Sequence, residues 1–360
     1  MEIESSHQML DLIVMPTFAV RDGLLTRCNA GAARLLLEPG MPVKPLIRIG
    51  AEEYEAFRGG CLYLTLCIGG EDAGTSVSRI GKEDIFVLEQ EANQVELQAM
   101  ALAAKELRAP LASVMTVADR LFPMLDKSGD PDCSEQIARI NRGLFQMLRV
   151  IGNMSDAARF RQPTAAMQTV DVGAHLDELF AKAAELVRYT GIELTFENDC
   201  GSLYCLADPE KLERAVYNIL SNAIKFTPKN GKINAKFCRK GKKLYLSVQD
   251  SGAGIPSALL GQVYTRFQRQ PSVEDSRYGI GLGMVLIMAT ATLHGGTVLI
   301  DQPENAGTRI TMTMEIRQRE GTEVRSPVLR IDYAGERDHG LIELSQDLPA
   351  SPYEKGSVNG

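Results

Sequence analysis

The sequence predicts a multidomain chain: an N-terminal α/β domain, an α-helical hairpin, a C-terminal α/β sandwich and a polar tail. Three observations predict it. Residues 7–90 hold strand-length apolar runs broken by turn signals. Across residues 91–161 apolar residues recur at alternating four- and three-residue spacing, the period of paired helices. From 170 to 316 strands and amphipathic helices alternate, and 318–360 is polar with three prolines and is expected to be extended or partly disordered, with Val328 to Tyr333 as a further strand candidate. A length of 360 residues suits two or three domains, and 44% hydrophobic with 24% charged residues is ordinary for chains that bury a core.

The N-terminal region, 7–90, opens with the apolar stretch Leu12 to Met15. Phe18-Ala-Val-Arg-Asp22-Gly23 follows, and Asp-Gly is a turn signal between two short strands. A helix is expected over Asn29 to Leu37, and further strands over Cys61 to Ile68 and Asp84 to Leu88. Strand, Asp-Gly turn, strand, then Asn and small residues opening a helix resembles a PAS sensor domain. A small α/β linker or dimerisation domain fits the same pattern.

The hairpin region, 91–161, places Met100, Ala104, Leu107, Leu111, Val114, Ala118, Leu121 and Leu125 on one stripe. Lys127-Ser-Gly-Asp-Pro131 breaks it, and a second stripe runs through Ile137, Ile140, Leu144, Met147, Ile151 and Met154. Two such helices close a core poorly alone, so pairing with a second copy into a dimeric four-helix bundle is expected.

The C-terminal region, 170–316, carries helices near 173–189, 208–226 and 281–294 and strands near 231–238, 243–249 and 296–316. Three motifs lie within it. In Glu213-Arg-Ala-Val-Tyr-Asn218-Ile-Leu-Ser-Asn222-Ala-Ile-Lys225, the spacing i, i+4, i+7 puts Asn218, Asn222 and Lys225 on one helix face. Amide and ammonium groups there can hold a hard cation and phosphate oxygens. Asp250-Ser-Gly252-Ala-Gly254 follows an alternating strand, where a carboxylate can accept from an exocyclic amine and the glycines admit a flat ligand. Gly279-Ile-Gly281-Leu-Gly283 precedes a helix whose N-terminus can cradle phosphate. It is neither the dinucleotide-binding GxGxxG nor a P-loop.

In order and spacing these segments resemble the N, G1 and G2 boxes of the ATPase domain of sensor histidine kinases, the GHKL fold. Tyr264-Thr-Arg-Phe267-Gln-Arg269 is similar to that family's F box, and His294-Gly-Gly with Gly307-Thr308 to its closing segment. The resemblance runs over roughly residues 95–316. It implies ATP and Mg²⁺ as cofactors: Asp250 on the adenine amine, Gly252 and Gly254 beside the base, and Asn222 on Mg²⁺ with Asn218 next to it. Lys225 would approach the phosphates under a lid holding Gly279, Gly281 and Gly283. Thr308 belongs to the same nucleotide set, and Arg269 and Arg277 are remoter phosphate candidates.

The family's first bundle helix carries a histidine followed by Glu-Leu-Arg, a polar residue and Pro-Leu. Here the segment reads Lys105-Glu106-Leu-Arg-Ala109-Pro110-Leu111, with Lys105 at the acceptor position. Heptad position turns Lys105 to solvent, and Pro110 predicts a kink because it lacks an N–H. A neutral imidazole is abundant at pH 7, whereas a lysine of ordinary pKa, about 10.4, is unprotonated in only about one molecule in a few thousand. Ordinary autophosphorylation is therefore not expected. Glu106, which in the family assists proton transfer, is kept, while Ala109 replaces the residue that orients the dephosphorylating water. Of the four histidines, His7, His175 and His294 have no claim to replace the acceptor, and His339 in the tail is a remote one.

The resemblance implies a two-component signalling protein that pairs with itself or a related kinase, phosphorylates that partner in trans, and meets a response regulator. The alternative is a degenerate ATP-binding module that regulates a partner. A chaperone or DNA-repair ATPase is disfavoured, because those enzymes usually place glutamate where Asn218 sits. A net charge of −7 argues against nucleic acid as partner. No run reaches the ~18 apolar residues of a membrane span, and the start lacks a signal-peptide pattern, so a cytoplasmic location is expected. The seven scattered cysteines form no CxxC pair and are expected to be reduced thiols.

Overall fold

The computed structural model describes residues 13, 15–89, 94–126, 131–159, 167–255, 282–303, 307–317 and 337–354. The N-terminal unit is an antiparallel sheet of β1 (Thr17–Arg21), β2 (Leu24–Cys28), β3 (Ile47–Ile49), β4 (Cys61–Ile68), β5 (Glu71–Ile80) and β6 (Glu83–Leu88). Asp22 and Gly23 both take positive φ, 52° and 79°, the geometry that reverses a two-residue hairpin without splaying its strands. The helix expected over Asn29 to Leu37 is only one turn, α1 (Ala30–Ala33). Asn29 is its cap rather than its first residue. Its Oδ1 accepts from the N–H groups of Ala32 and Thr17, both at 3.0 Å, so the side chain spends itself on turning the chain. A second short helix, α2 (Ala51–Ala56), precedes β4. Phe18 and Phe86 stack at 4.8 Å in this unit's core, with Leu62, Leu64 and Leu66 from β4.

Two long helices follow, α3 (Gln94–Asp126) and α4 (Pro131–Arg159). α3 runs on through Pro110, where the sequence predicts a kink, and through Pro123. The heptad stripe divides between two faces. Ala104, Leu111 and Ala118 of α3 are buried with Ile137, Leu144 and Ile151 of α4. The alternate stripe positions Leu107, Val114, Leu121, Ile140 and Met147 stay about half exposed. Each helix thus spends half of its apolar stripe on its neighbour and leaves half open.

The C-terminal unit packs α5 (Val172–Val187), α6 (Pro209–Phe226) and α7 (Leu282–Leu293) on a sheet of β8 (Glu193–Asn198), β10 (Lys232–Lys240), β11 (Lys243–Asp250), β13 (Arg309–Glu315) and β12 (Val298–Asp301). β8 and β10 are parallel and the other pairs antiparallel. Along β10 and β11 burial alternates residue by residue, so one face meets the helices and the other faces water. A separate ribbon joins β7 (Gln168–Asp171) to β9 (Tyr204–Ala207). Among the described residues no helix is long and apolar enough to cross a membrane.

Two features depart from the linear reading of the sequence. First, the N-terminal and C-terminal sheets are one sheet. β4 pairs antiparallel with β12, matching Cys61 with Ile300 and Tyr63 with Val298. A Cβ on Gly60 would lie 2.2 Å from the Ile300 carbonyl, so only glycine lets the strands meet there. Lys243 of β11 closes the junction, its Nζ 2.7 Å from both carboxylate oxygens of Glu53 in α2. Second, the tail expected to be extended or partly disordered has a packed segment, α8 (His339–Glu343) and the turn Ser351–Tyr353. Leu341, Ile342, Leu344, Leu348 and Tyr353 are buried there, which a solvated tail would not do. The strand suggested at Val328 to Tyr333 lies outside the described residues.

Candidate functional site

α6 is the backbone of the site. Asp208 caps it through the Lys211 N–H at 3.2 Å, Pro209 fills its first position, and Leu212, Val216, Ile219 and Ala223 are buried in the core. With those residues fixed inward, the helical period directs Asn218, Asn222 and Lys225 along one neighbouring face. Asn218 is buried and its Nδ2 donates to the Arg214 carbonyl at 2.8 Å. The first turn of α7 lies against this face. A Cβ on Gly283 would come within 2.9 Å of Asn218 Oδ1, and Asn222 Nδ2 is 3.6 Å from Met284 Sδ. The first and third motifs are therefore adjacent in space although about 60 residues separate Asn222 from Met284.

Asp250 ends β11 and is buried. Its Oδ1 accepts from the Gly252 N–H at 2.8 Å and the Thr308 N–H at 3.1 Å. Both donors converge on the same oxygen. Burial pushes the carboxyl above its usual range, opposed by these two backbone bonds. The loop after Asp250 passes the end of α6: a Cβ on Gly252 would sit 2.3 Å from the Phe226 carbonyl. Gly254 takes φ +77° beside Gln302, whose Nε2 donates to the Ile255 carbonyl at 2.7 Å. Thr308 thus acts through its backbone, a role that its side-chain type could not announce.

The structure gathers Asn218, Asn222, Lys225, Asp250, Gly252, Gly254, Gly283 and Thr308 around the C-terminal half of α6 and the end of β11. Gly279, Gly281, Arg269, Arg277 and the Tyr264–Arg269 segment lie outside the described residues. Lys105, Glu106 and Ala109 are exposed on α3. His339 is not a solvated histidine: its Nδ1 is 3.4 Å from Glu213 Oε1 on α6.

His294 has a structural task that its place in the closing motif did not disclose. It is buried at the end of α7, its Nε2 accepts the Asp208 N–H at 3.1 Å, and its Nδ1 is 2.7 Å from the Thr290 carbonyl. The consistent tautomer carries the proton on Nδ1. One imidazole thus ties the end of α7 to the cap of α6. Burial lowers its pKa from 6.5, the Thr290 bond opposing. The folded state prefers the neutral ring, so this contribution is complete above pH 6.5 and declines as pH falls below it. Thermal unfolding followed from pH 7.5 downward should lose stability below about 6.5 by a step that His294→Gln removes. Parallel pH profiles for the two proteins would refute it.

Residues 207–318 match the family described as histidine kinase-, DNA gyrase B- and HSP90-like ATPase. Histidine kinase P4 of Formosa agariphila is 26% identical over 63% of this chain and 17% of that protein. Circadian input-output histidine kinase CikA of Synechococcus elongatus is 27% identical over 64% of this chain and 31% of that protein. The chain thus spans less than a third of the length of either relative. Among solved structures, full-length ShkA in complex with AMPPNP superposes with a TM-score of 0.50 at 19% identity, over 62% of this chain and 47% of that one. That likeness is one of fold. The family match, the relatives and the meeting of the motifs on α6 agree that residues 207–318 form a GHKL-type ATPase domain similar to that of the sensor histidine kinases.

Proposed function

We propose that the chain is a two-component signalling protein that binds Mg-ATP at the end of α6 and directs its γ-phosphoryl group to a partner kinase rather than to itself. The observation that carries this reading is Asp250: a buried carboxylate at the end of β11 whose Oδ1 is held by two backbone N–H groups. Oriented in this way, the carboxylate can accept from an adenine amine through its second oxygen. Asn222 and Asn218 would hold Mg²⁺, and Lys225 would neutralise phosphate charge. Gly283, with Gly279 and Gly281, would let the loop before α7 close over the phosphates. When bound, Mg²⁺ supplies charge neutralisation for phosphoryl transfer; the protein's part is positioning.

Lys105 favours transfer in trans. It is exposed on α3 beside Glu106, in the place where the family presents its acceptor. A partner kinase bearing histidine there would meet the same ATPase domain. The degenerate alternative, nucleotide binding without transfer, rests on the same residue, and one experiment separates the two. Labelled Mg-ATP is given to the purified chain with and without candidate partner kinases whose own ATP sites are disabled. Label on the partner's histidine supports transfer; nucleotide binding with every partner unlabelled leaves the regulatory module; no nucleotide binding at all defeats both.

The open half of the heptad stripe supports pairing of two hairpins. Leu107, Val114 and Leu121 repeat every seven residues on α3, and Ile140 and Met147 do so on α4. A second hairpin, from another copy or from a related kinase, would bury them in a four-helix bundle. Val114→Glu with Leu121→Glu should convert a dimer to a monomer in sedimentation while leaving helix content unchanged. A wild-type chain that sediments as a monomer at high micromolar concentration would dismiss self-pairing. The N-terminal unit is proposed as the sensor, PAS-like in pattern, and a response regulator as the downstream partner.

A further inference from the structure

We infer that the groove between α4, α5 and α6 is a docking site for an acidic helical segment, filled by the chain's own residues 337–354, and that this docking restrains nucleotide binding. The restraint rests on the reading of Lys225 as a phosphate contact; the docking site does not.

The groove is built for carboxylates. Glu343 and Asp347 stand four residues apart in the tail, and the groove presents Arg149 from α4 and Arg214 from α6. Glu343 bridges the two units, with Oε1 3.2 Å from Arg214 Nε and Oε2 3.8 Å from Arg149 Nε. Asp347 Oδ2 accepts from Ser221 Oγ at 2.5 Å and lies 3.7 Å from Arg149 Nη1. All four charged side chains are at most 6% exposed. Arg214 also meets Asp156 and Asn153 of α4, so Glu343 is its second carboxylate, while Arg149 meets both tail carboxylates; buried cations of this kind favour an acidic ligand. Main-chain recognition completes it: Gln146 Nε2 donates to the Ser345 carbonyl at 3.0 Å and Asn141 Nδ2 to the Tyr353 carbonyl at 3.1 Å. Tyr353 packs edge-on against Phe145 of α4, ring centroids 5.4 Å apart.

The link to the nucleotide site is one helical turn long. Ser221 immediately precedes Asn222, and Lys225 follows Ser221 by four residues, so it lies one turn along the same helix. Burial pushes the Asp347 carboxyl upward, and the charges of Arg149 and Lys225 are among the influences drawing it back. Bonded to Ser221, Asp347 is held one helical turn before Lys225 while the tail is docked. Phosphates arriving at Lys225 compete with that carboxylate. The same segment ties hairpin to ATPase domain, since Glu343 meets one arginine from each. The tail contributes no strand to the sheet, so the strand order does not depend on it.

The test compares the full chain with one ending at residue 336, by titration with a fluorescent ATP analogue and Mg²⁺. Truncation should tighten nucleotide binding about tenfold, within the usual range of coupling between sites. Asp347→Asn in the full chain should do part of this. A labelled peptide of residues 337–354 should bind the truncated chain by anisotropy and return its nucleotide affinity toward that of the full chain. A peptide carrying Glu343→Gln and Asp347→Asn should not bind. The proposal is overturned if the natural peptide does not bind, if truncation leaves affinity unchanged or weaker, or if the truncated chain loses its cooperative thermal transition. If neither chain binds nucleotide, the functional reading fails and the restraint with it, while the peptide titration still decides the docking site.

Discussion

Asp250→Asn should weaken Mg-ATP binding by about thirty- to one-hundred-and-fifty-fold, because it replaces a hydrogen bond to a charged acceptor worth about 2–3 kcal/mol. The geometry makes the loss harsher than an isosteric change suggests. Oδ1 must remain an oxygen, since the Gly252 and Thr308 N–H groups both donate to it. The asparagine amide is then forced to put its NH₂ where Oδ2 was. A donor would face the adenine amine, itself a donor. The loop should survive, because both backbone bonds are kept and a buried charge is removed. Titration calorimetry and a thermal melt on the same sample decide the matter. Binding within threefold of wild type would remove Asp250 from the adenine site; a large drop in melting temperature would assign it to the loop instead.

Lys105→His should turn a chain that does not label itself into one that acquires an acid-labile phosphate from labelled ATP. The physical change is in the population of a neutral nucleophile. At pH 7 an ordinary imidazole is mostly unprotonated and an ordinary lysine almost never, a difference on the order of a thousandfold. The site is exposed on α3, with Glu106 and Ala109 exposed beside it, so the substitution disturbs no core contact. Wild-type protein that labels itself with an acid-labile phosphate would contradict this reading of Lys105. A silent Lys105→His variant that still binds ATP would move the defect elsewhere in the transfer path.

Much of the fold was legible because it is written in local periods. The strands at 61–68 and 243–250 and the helix at 209–226 follow patterns that need no distant partner to be read. The long strand β5 escaped notice. Its sequence, Glu-Asp-Ala-Gly-Thr-Ser-Val-Ser-Arg-Ile, has few apolar residues, and its place is fixed by pairing with β4 and β6. The helix after Asn29 was overestimated because its apolar pattern continues past residue 33, while the chain at Leu36 turns to φ +60°. The tail was read as solvated because polar residues dominate it. Its Glu343 and Asp347 are buried against Arg149, Arg214 and Ser221, none of which is near in sequence.

The sequence by itself determined the ATPase domain, the three motifs that resemble the N, G1 and G2 boxes, and the presence of Lys105 where that resemblance expects the acceptor. These rest on residue identity and short-range spacing, which the chain carries wherever it folds. Only the tertiary structure decided which half of each heptad stripe is spent inside the hairpin, that β4 joins β12, and that residues 337–354 pack against Arg149, Arg214 and Ser221. Each of those depends on segments far apart in the chain meeting edge to edge or charge to charge. A pattern of period two or seven states that a face will be covered; it does not state by what.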